Sequence, residues 1–334
     1  MASLVFGILS FMCLPLLGGI LAVAFALVAR SRKEKVRGGG LATAGLSLGI
    51  VNLAVMLLLA GLVVPLSIHF LGKTRTVTRT VAPQGAERAV VELRVRSGKA
   101  TVEGGAEGLF EGTFTFNVKD WEPRLDYAVR GGEGRLSAAQ GGDWWAPAFW
   151  FVRNDWLVRL SDEVPVDLSA ELSSASAVFR LGSLSLRSLE VESGSGGVEV
   201  DLSGKMSQLG RIDLSQGSGE LSLSLRGEYS NYVQMDVENA SGRTEIDLRG
   251  RWEGGLGGYI KCGSGDVSLF LPEEVGVRVR VRSGSGRLRA EGMTLDSSDQ
   301  DGMVYVNAAF RESPVTLQVD LECHSGDITL AAGE

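Results

Sequence analysis

A glycine recurs at a fixed interval through the C-terminal half of this chain. Gly196, Gly219, Gly242 and Gly265 stand 23 residues apart, Gly286 follows 21 later and Gly326 another 40 later. Each closes a phrase of small or polar residues: Ser193-Gly-Ser-Gly196, Gln216-Gly-Ser-Gly219, Asn239-Ala-Ser-Gly242, Cys262-Gly-Ser-Gly265, Ser283-Gly-Ser-Gly286 and Cys323-His-Ser-Gly326. A period near 20 residues is the mark of a solenoid, in which each repeat is one coil stacked on its neighbours.

The flanking residues alternate. After each glycine come Val198/Val200/Leu202, Leu221/Leu223/Leu225, Thr244/Ile246/Leu248 and Val267/Leu269/Leu271, with polar residues such as Glu199/Asp201 and Glu245/Asp247 between them. Before it lie Leu189/Val191, Ile212/Leu214, Met235/Val237, Val279/Val281 and Val319/Leu321. Period two means a strand with one buried face. Each coil therefore reads as strand, glycine corner, strand and a second turn near Gly204, Gly227 or Gly250. Glycine at the corner permits positive φ. The expected fold is all-β, a single-stranded β-helix-like solenoid of about 21–23 residues per coil. The competing arrangement, a β-sandwich of hairpins, would rarely keep so constant a spacing.

Two apolar runs precede the repeats. Leu4 to Ala29 carries no charge, and Leu41 to Leu71 contains only His69. Both exceed the ~20 residues that cross a bilayer. The first is too long for a signal peptide and lacks a basic residue before it. Arg30, Arg32, Lys33, Lys35 and Arg37 lie between the runs and favour a cytoplasmic loop, against Lys73, Arg75 and Arg79 beyond the second. The expectation is a two-helix transmembrane hairpin over 1–72, integral in the membrane, with the β domain extracytoplasmic. Gly45-Leu-Ser-Leu-Gly49 suits close packing of helices, the two spans against each other or a homodimer seam, and Pro15 is expected to kink the first span.

Lys and Arg number 33 against 40 Asp and Glu, a net charge of −7. Five of the basic residues and one acid fall within 1–72, so the remainder is more acidic still. An acidic domain without a basic aromatic patch is a poor partner for nucleic acid. The two histidines, His69 and His324, support neither a catalytic triad nor a histidine metal cluster. No phosphate-binding loop occurs. Gly263-Ser-Gly-Asp266 and Ser325-Gly-Asp327 are similar to calcium-binding repeats, but Asp stands in only two of the turns. No cofactor or metal is expected. Cys262 and Cys323 hold the same repeat position 61 residues apart, about three coils in chain order, which places them too far apart for a disulfide. Cys13 lies in the first run.

Residues 73–88 read as a polar linker. Residues 89–160 read as a degenerate capping unit, with a coil-like corner at Ser97-Gly98, and 161–334 as the repeats proper. Within the capping unit, Trp144, Trp145, Phe149, Trp150 and Phe151 crowd around Pro147 without alternation. This loop is either a flap over the solenoid or an exposed patch that binds a partner or the bilayer interface. Trp156 lies in an ordinary strand pattern and is expected in the core.

Two resemblances follow from these residues. Gly7-Ile-Leu-Ser, Cys13-Leu-Pro-Leu-Leu-Gly-Gly19 and Gly39-Gly-Leu-Ala-Thr-Ala-Gly45-Leu-Ser-Leu-Gly49 resemble a bacterial family of paired membrane spans of unknown function, over about residues 3–65. The outer domain resembles the bacterial toast-rack and adhesin-like β-solenoids, related to the C-terminal domain of cell-wall-antibiotic-response membrane regulators. Val91-Glu-Leu-Arg-Val-Arg-Ser-Gly98, Phe110-Glu-Gly-Thr-Phe114, Trp121-Glu-Pro123, Tyr127 to Gly134 and Trp156-Leu-Val-Arg-Leu160 carry it over most of 88–330. It implies a stack of short strands, sometimes a role in envelope stress, and no catalytic residues. The membrane region departs from those regulators.

Together these features point to a non-enzymatic bacterial envelope protein that binds another protein or a second copy of itself. An adhesive, glycan-contacting scaffold is the alternative. A polysaccharide-active enzyme using Asp201, Glu245 and Asp247 is a third reading.

Overall fold

The computed structural model describes residues 47–52, 54, 55, 58, 71–142 and 152–333. The chain divides into two units, the second of which spans Lys73–Trp144 and Val152–Glu334 and holds nearly all the described residues. In the first unit, the described residues of 47–58 are helical. Among the described residues no helix is long and apolar enough to cross a membrane. The expected first span and the aromatic loop, Trp144, Trp145, Phe149, Trp150 and Phe151, lie outside the described residues, as does most of the second span.

The second unit is all-β. Its strands are β1 (Leu71–Val81), β2 (Arg88–Gly104), β3 (Phe110–Val118), β4 (Arg124–Arg130), β5 (Glu133–Ala139), β6 (Asn154–Leu160) and β7 (Val166–Arg180). The glycine repeats follow as pairs: β8 (Leu186–Ser195) with β9 (Val198–Asp201), then β10 (Arg211–Ser218) with β11 (Leu221–Ser224). A short third side enters as β12 (Glu228–Tyr229), before β13 (Val233–Ser241) and β14 (Thr244–Asp247), and again as β15 (Arg251–Trp252), before β16 (Leu256–Ser264) and β17 (Val267–Leu271). The chain ends with β18 (Gly276–Ser285), β19 (Leu288–Glu291), the hairpin β20 (Thr294–Asp299) and β21 (Gly302–Val306), and the pair β22 (Thr316–Ser325) and β23 (Ile328–Ala332).

Equivalent strands pair parallel and in register. Arg211 of β10 pairs with Gln234 of β13, and Val233 of β13 with Leu256 of β16, each one 23-residue period on. Parallel pairing at one repeat is the geometry of a coil stack and excludes a sandwich of hairpins for these coils. The alternating apolar residues form its core: Leu189, Ile212, Met235, Val267 and Leu269 are all buried.

The corner glycines make this spacing physically available. Gly196, Gly219, Gly242, Gly265, Gly286 and Gly326 have φ between 119° and 131°, a region that residues with a Cβ avoid. The stack itself adds a second reason. A Cβ on Gly219 would strike the carbonyl of Gly196, and one on Gly265 the carbonyl of Gly242. Four of these corners also donate to the next coil, as Gly219 N to Ser241 O at 3.0 Å and Gly242 N to Ser264 O at 2.9 Å, with Gly265 and Gly326 doing the same.

Chain order and coil order part company at the distal end. β16 pairs with β22, the last long strand in sequence, and β22 then pairs with β18. The final coil is thus inserted between two coils that precede it. Outward charges supply a reason. Lys261 and Arg282 are both in register with Glu322, so stacking in chain order would set Lys261 against Arg282. With the insertion, the column alternates: Glu238 pairs with Lys261 at 2.7 Å, and Arg282 with Glu322 at 3.6 Å. Like charges directly opposed across strands destabilise and opposite ones stabilise.

This insertion corrects the reading of the cysteines. Cys262 and Cys323 are not three coils apart but direct neighbours in register. Counting periods along the chain fails where the chain doubles back. A second correction concerns the linker. Residues 71–81 form β1, which pairs with β3, with Thr76 Oγ1 3.0 Å from Thr115 Oγ1. Its alternating threonines suit a strand, and its Lys and Arg residues suit an edge facing water.

Gly219→Val and Gly265→Val should each destabilise the solenoid by about 3 kcal/mol or more, combining corner strain with a backbone collision. The fall in the urea midpoint of the full chain, followed by circular dichroism, measures this. A midpoint equal to wild type would show that the corners tolerate a side chain.

Candidate functional site

The described residues on either side of the aromatic segment form a polar cluster. Gln140 stands before it and Asn154 after it, and both are buried. Gln140 Oε1 accepts from Arg96 N at 2.9 Å and from Asn154 Nδ2 at 3.1 Å. Asn154 Nδ2 also donates to Ser97 O at 2.6 Å, and Asn154 Oδ1 accepts from Trp156 Nε1 at 3.0 Å. Trp156 is 2% exposed and meets Phe114 edge-on at 4.7 Å, the core position expected for it. Gly98 leaves room for this network, since a Cβ there would strike the Asn154 carbonyl. Arg96 Nη1 reaches Gly142 O at 2.5 Å, beside a cleft of about 480 Å³ lined by Asp120, Arg124 and Gln140. The described residues on either side of the aromatic segment thus share one polar cluster at the first coil's corner.

The carboxylates considered for hydrolysis lie on separate levels of the outer face. Asp201 and Asp247 face outward two coils apart, with Ser224 between them in register. Asp247 is held by Arg249 at 2.8 Å and Arg226 at 3.0 Å, and Arg249 lies 5.0 Å from the Phe270 ring centroid. Burial alone would raise the Asp247 carboxyl, but the Arg249 hydrogen bonds and the Arg249 and Arg226 charges bring it below its ordinary value. A general acid needs the opposite shift. Glu245 is exposed between Ser222 and Ser268.

The turns that resemble calcium-binding repeats serve the stack. Asp266 Oδ1 accepts from Asp327 N at 3.0 Å, and Asp327 Oδ1 from Arg287 N at 2.9 Å, each carboxylate capping the next coil. The backbone bond from Arg287 and nearby arginine charges lower the Asp327 carboxyl. Among the described residues no group of three or more His, Cys, Asp or Glu side chains could hold a metal.

Three features went unread in the sequence. Tyr229 and Trp252, one period apart, stack at 4.2 Å on the third side, where Tyr229 Oη donates to Leu202 O. Their spacing was visible in the sequence. Where that side stops, a cleft of about 740 Å³ opens between Arg226, Arg249, Trp252, Pro272 and Val315. On the outer face, Tyr232 and Tyr259 are exposed, and a Cβ on Gly257 would meet the Tyr232 hydroxyl, so the glycine lets the ring lie against the coil.

This architecture defines a parallel β-coil domain with no assembled catalytic grouping among its described residues. Residues 70–224 match the family model of the N-terminal domain of toast-rack, DUF2154, and residues 1–59 match a domain of unknown function, DUF4190. Residues 70–224 of the β domain are thus similar to the N-terminal toast-rack domain. A candidate cell adhesion protein from Clostridium sporogenes is similar in structure, with 22% identity and a TM-score of 0.48, over 78% of this chain and 100% of that one. A candidate lipid binding protein from Parabacteroides distasonis shows 11% identity and a TM-score of 0.35, over 77% and 97% of the two chains. For a candidate adhesin from Parabacteroides merdae the values are 10%, 0.28, 77% and 96%. No curated protein matches the chain.

Because its folded value is lowered, the stabilisation from Asp247 is complete above the unfolded carboxylate value of ~3.9 and is lost as pH falls through the folded value. Asp247→Asn should therefore lower stability at neutral pH and flatten its decline below about pH 4. Urea midpoints across that range test the sign. Asn154→Leu should cost about 2 kcal/mol by removing the acceptor of the buried Trp156 Nε1 and the side-chain donor to the Ser97 carbonyl, read as a lower urea midpoint.

Proposed function

We propose that this chain is a membrane-anchored, extracytoplasmic scaffold of the bacterial envelope, whose solenoid recognises another protein without catalysing a reaction. The observation that carries the scaffold role is the treatment of the outer face. Some of its charges form coil-to-coil pairs, such as Glu238–Lys261 and Asp247–Arg226, rather than gathering at one reactive centre. Anchoring is supported by the two uncharged apolar runs and by Ile50, Val51, Val55 and Leu58, large apolar side chains exposed on the described helical residues. The five cations between the runs favour the outward orientation. Recognition is assigned to Trp144, Trp145, Phe149, Trp150 and Phe151, because residues on both sides of that segment are fixed to one buried polar cluster.

Glycan contact is the second reading. Tyr232 and Tyr259, exposed on a coil face made shallow by Gly257, offer rings on which a sugar could stack. A role in envelope stress would follow from the identity of the protein partner.

A photo-crosslinker in place of Trp145 in the native host tests the proposal. The expected result is one specific crosslinked protein, lost when Phe149 and Trp150 are replaced by Ser. Crosslinks confined to the chain itself would make the loop a cap and remove the recognition role. Accessibility of a cysteine at Ser297 to an impermeant reagent in intact cells tests the orientation, and labelling only after lysis would reverse it.

A further inference from the structure

Two thiols meet inside the stack at the place where chain order breaks. Cys262 of β16 and Cys323 of β22 are register partners on adjacent parallel strands. Such neighbours stand ~4.8 Å apart, within the Cα separation of ~4.4–6.8 Å that a disulfide spans. Both side chains are buried, and both sulfurs turn to one acceptor, the Gly265 carbonyl, at 3.5 Å and 3.7 Å. Two sulfurs sharing one acceptor converge on the boundary between the coils.

The column in which they lie sharpens the point. In register it runs Ser193, Gln216, Asn239, Cys262, Cys323 and Ser283. Gln216 and Asn239 donate to the corner carbonyls of the coil before, Gly196 O at 2.8 Å and Gly219 O at 3.4 Å. A carboxamide thus links adjacent coils at those levels. The thiols are weak donors that cannot match it, and they stand together at the level where the inserted coil meets the rest of the stack.

We propose that Cys262 and Cys323 form a disulfide that staples the inserted coil β22–β23 to the coil β16–β17. Together the two thiols lose two protons and two electrons, and the acceptor is an external disulfide such as oxidised glutathione. One thiolate attacks it and releases one glutathione thiol. The second thiolate attacks the resulting mixed disulfide, forms the Cys262–Cys323 bond and releases the other glutathione. The closed loop contains β18, β19 and the hairpin β20–β21, so one bond restrains the whole distal end. Burial pushes the Cys262 thiol up to about 12, so thiolate is scarce once the coil is seated. Exchange therefore belongs to the opened coil, and the finished bond is sheltered from reductant.

The full chain in detergent, taken through urea and back with excess oxidised over reduced glutathione, tests this. It is then acid-quenched, denatured, alkylated with N-ethylmaleimide and digested. The expected product is a peptide pair linked through Cys262 and Cys323, about 2 Da lighter than the two reduced peptides, with alkylation at Cys13 only. Its urea midpoint should exceed that of a dithiothreitol-treated sample. Alkylation at both positions, or a bond to Cys13, would overturn the proposal. So would an equal redox-dependent shift in the Cys262→Ser, Cys323→Ser double variant, which separates the bond from any general effect of the buffer. None of these outcomes depends on whether the aromatic loop binds a partner.

Discussion

The whole architecture depends on how closely one coil can approach the next at the corner. Gly219 lies against the carbonyl of Gly196, Gly242 against that of Gly219, and Gly265 against that of Gly242. A hydrogen of the glycine fills the place where any other residue would hold a methyl or larger group. Once that contact is made, the flanking strands fall into parallel register and their apolar residues stack on their own kind. The corner therefore sets both the spacing of the ladder and the alignment of the core. Its energetic value is cooperative: each glycine conformation is secured by the coil on either side, as expected of a stack with nearest-neighbour coupling.

Much of this was legible in the sequence because the constraint repeats. Period-two apolar residues around Gly196, Gly219, Gly242 and Gly265 specify the coils, and the buried Val198, Leu221, Ile246 and Leu269 follow from them. The signal fades where the chemistry departs from glycine. In β7 the corner position, in register with Gly98, is Ala175, so this coil carries no mark in the glycine spacing. The third side is hard to read because β12 and β15 are two residues long, too short for an alternating pattern, so only the 23-residue spacing of Tyr229 and Trp252 marks it.

The order of the last coils was illegible for a different reason. Repeat spacing records which residues are equivalent, not which coil lies beside which. That information sits in the pairing of Lys261, Glu322 and Arg282, residues far apart in sequence whose charges make sense only when the stack is seen. The candidate site divides similarly. The crowding of Trp144, Trp145, Phe149, Trp150 and Phe151 is plain from composition, whereas the polar cluster beside it depends on Ser97 of β2, Asn154 of β6 and Gln140, just after β5, meeting in space. Single polar residues in otherwise apolar strands were the available hint.

The inserted coil also governs when the domain can be finished. A simple solenoid can grow behind the ribosome, each new coil seating on the one just made. Here the coil of residues 276–291 emerges before the strands of residues 316–332 on which it finally rests. Until those strands exist, the growing end has Lys261 exposed on one coil and Arg280 and Arg282 on the next, whose mutual repulsion discourages premature closure. Vectorial assembly is thereby held open at its distal end, and completion becomes a late, long-range step of the kind that slows folding.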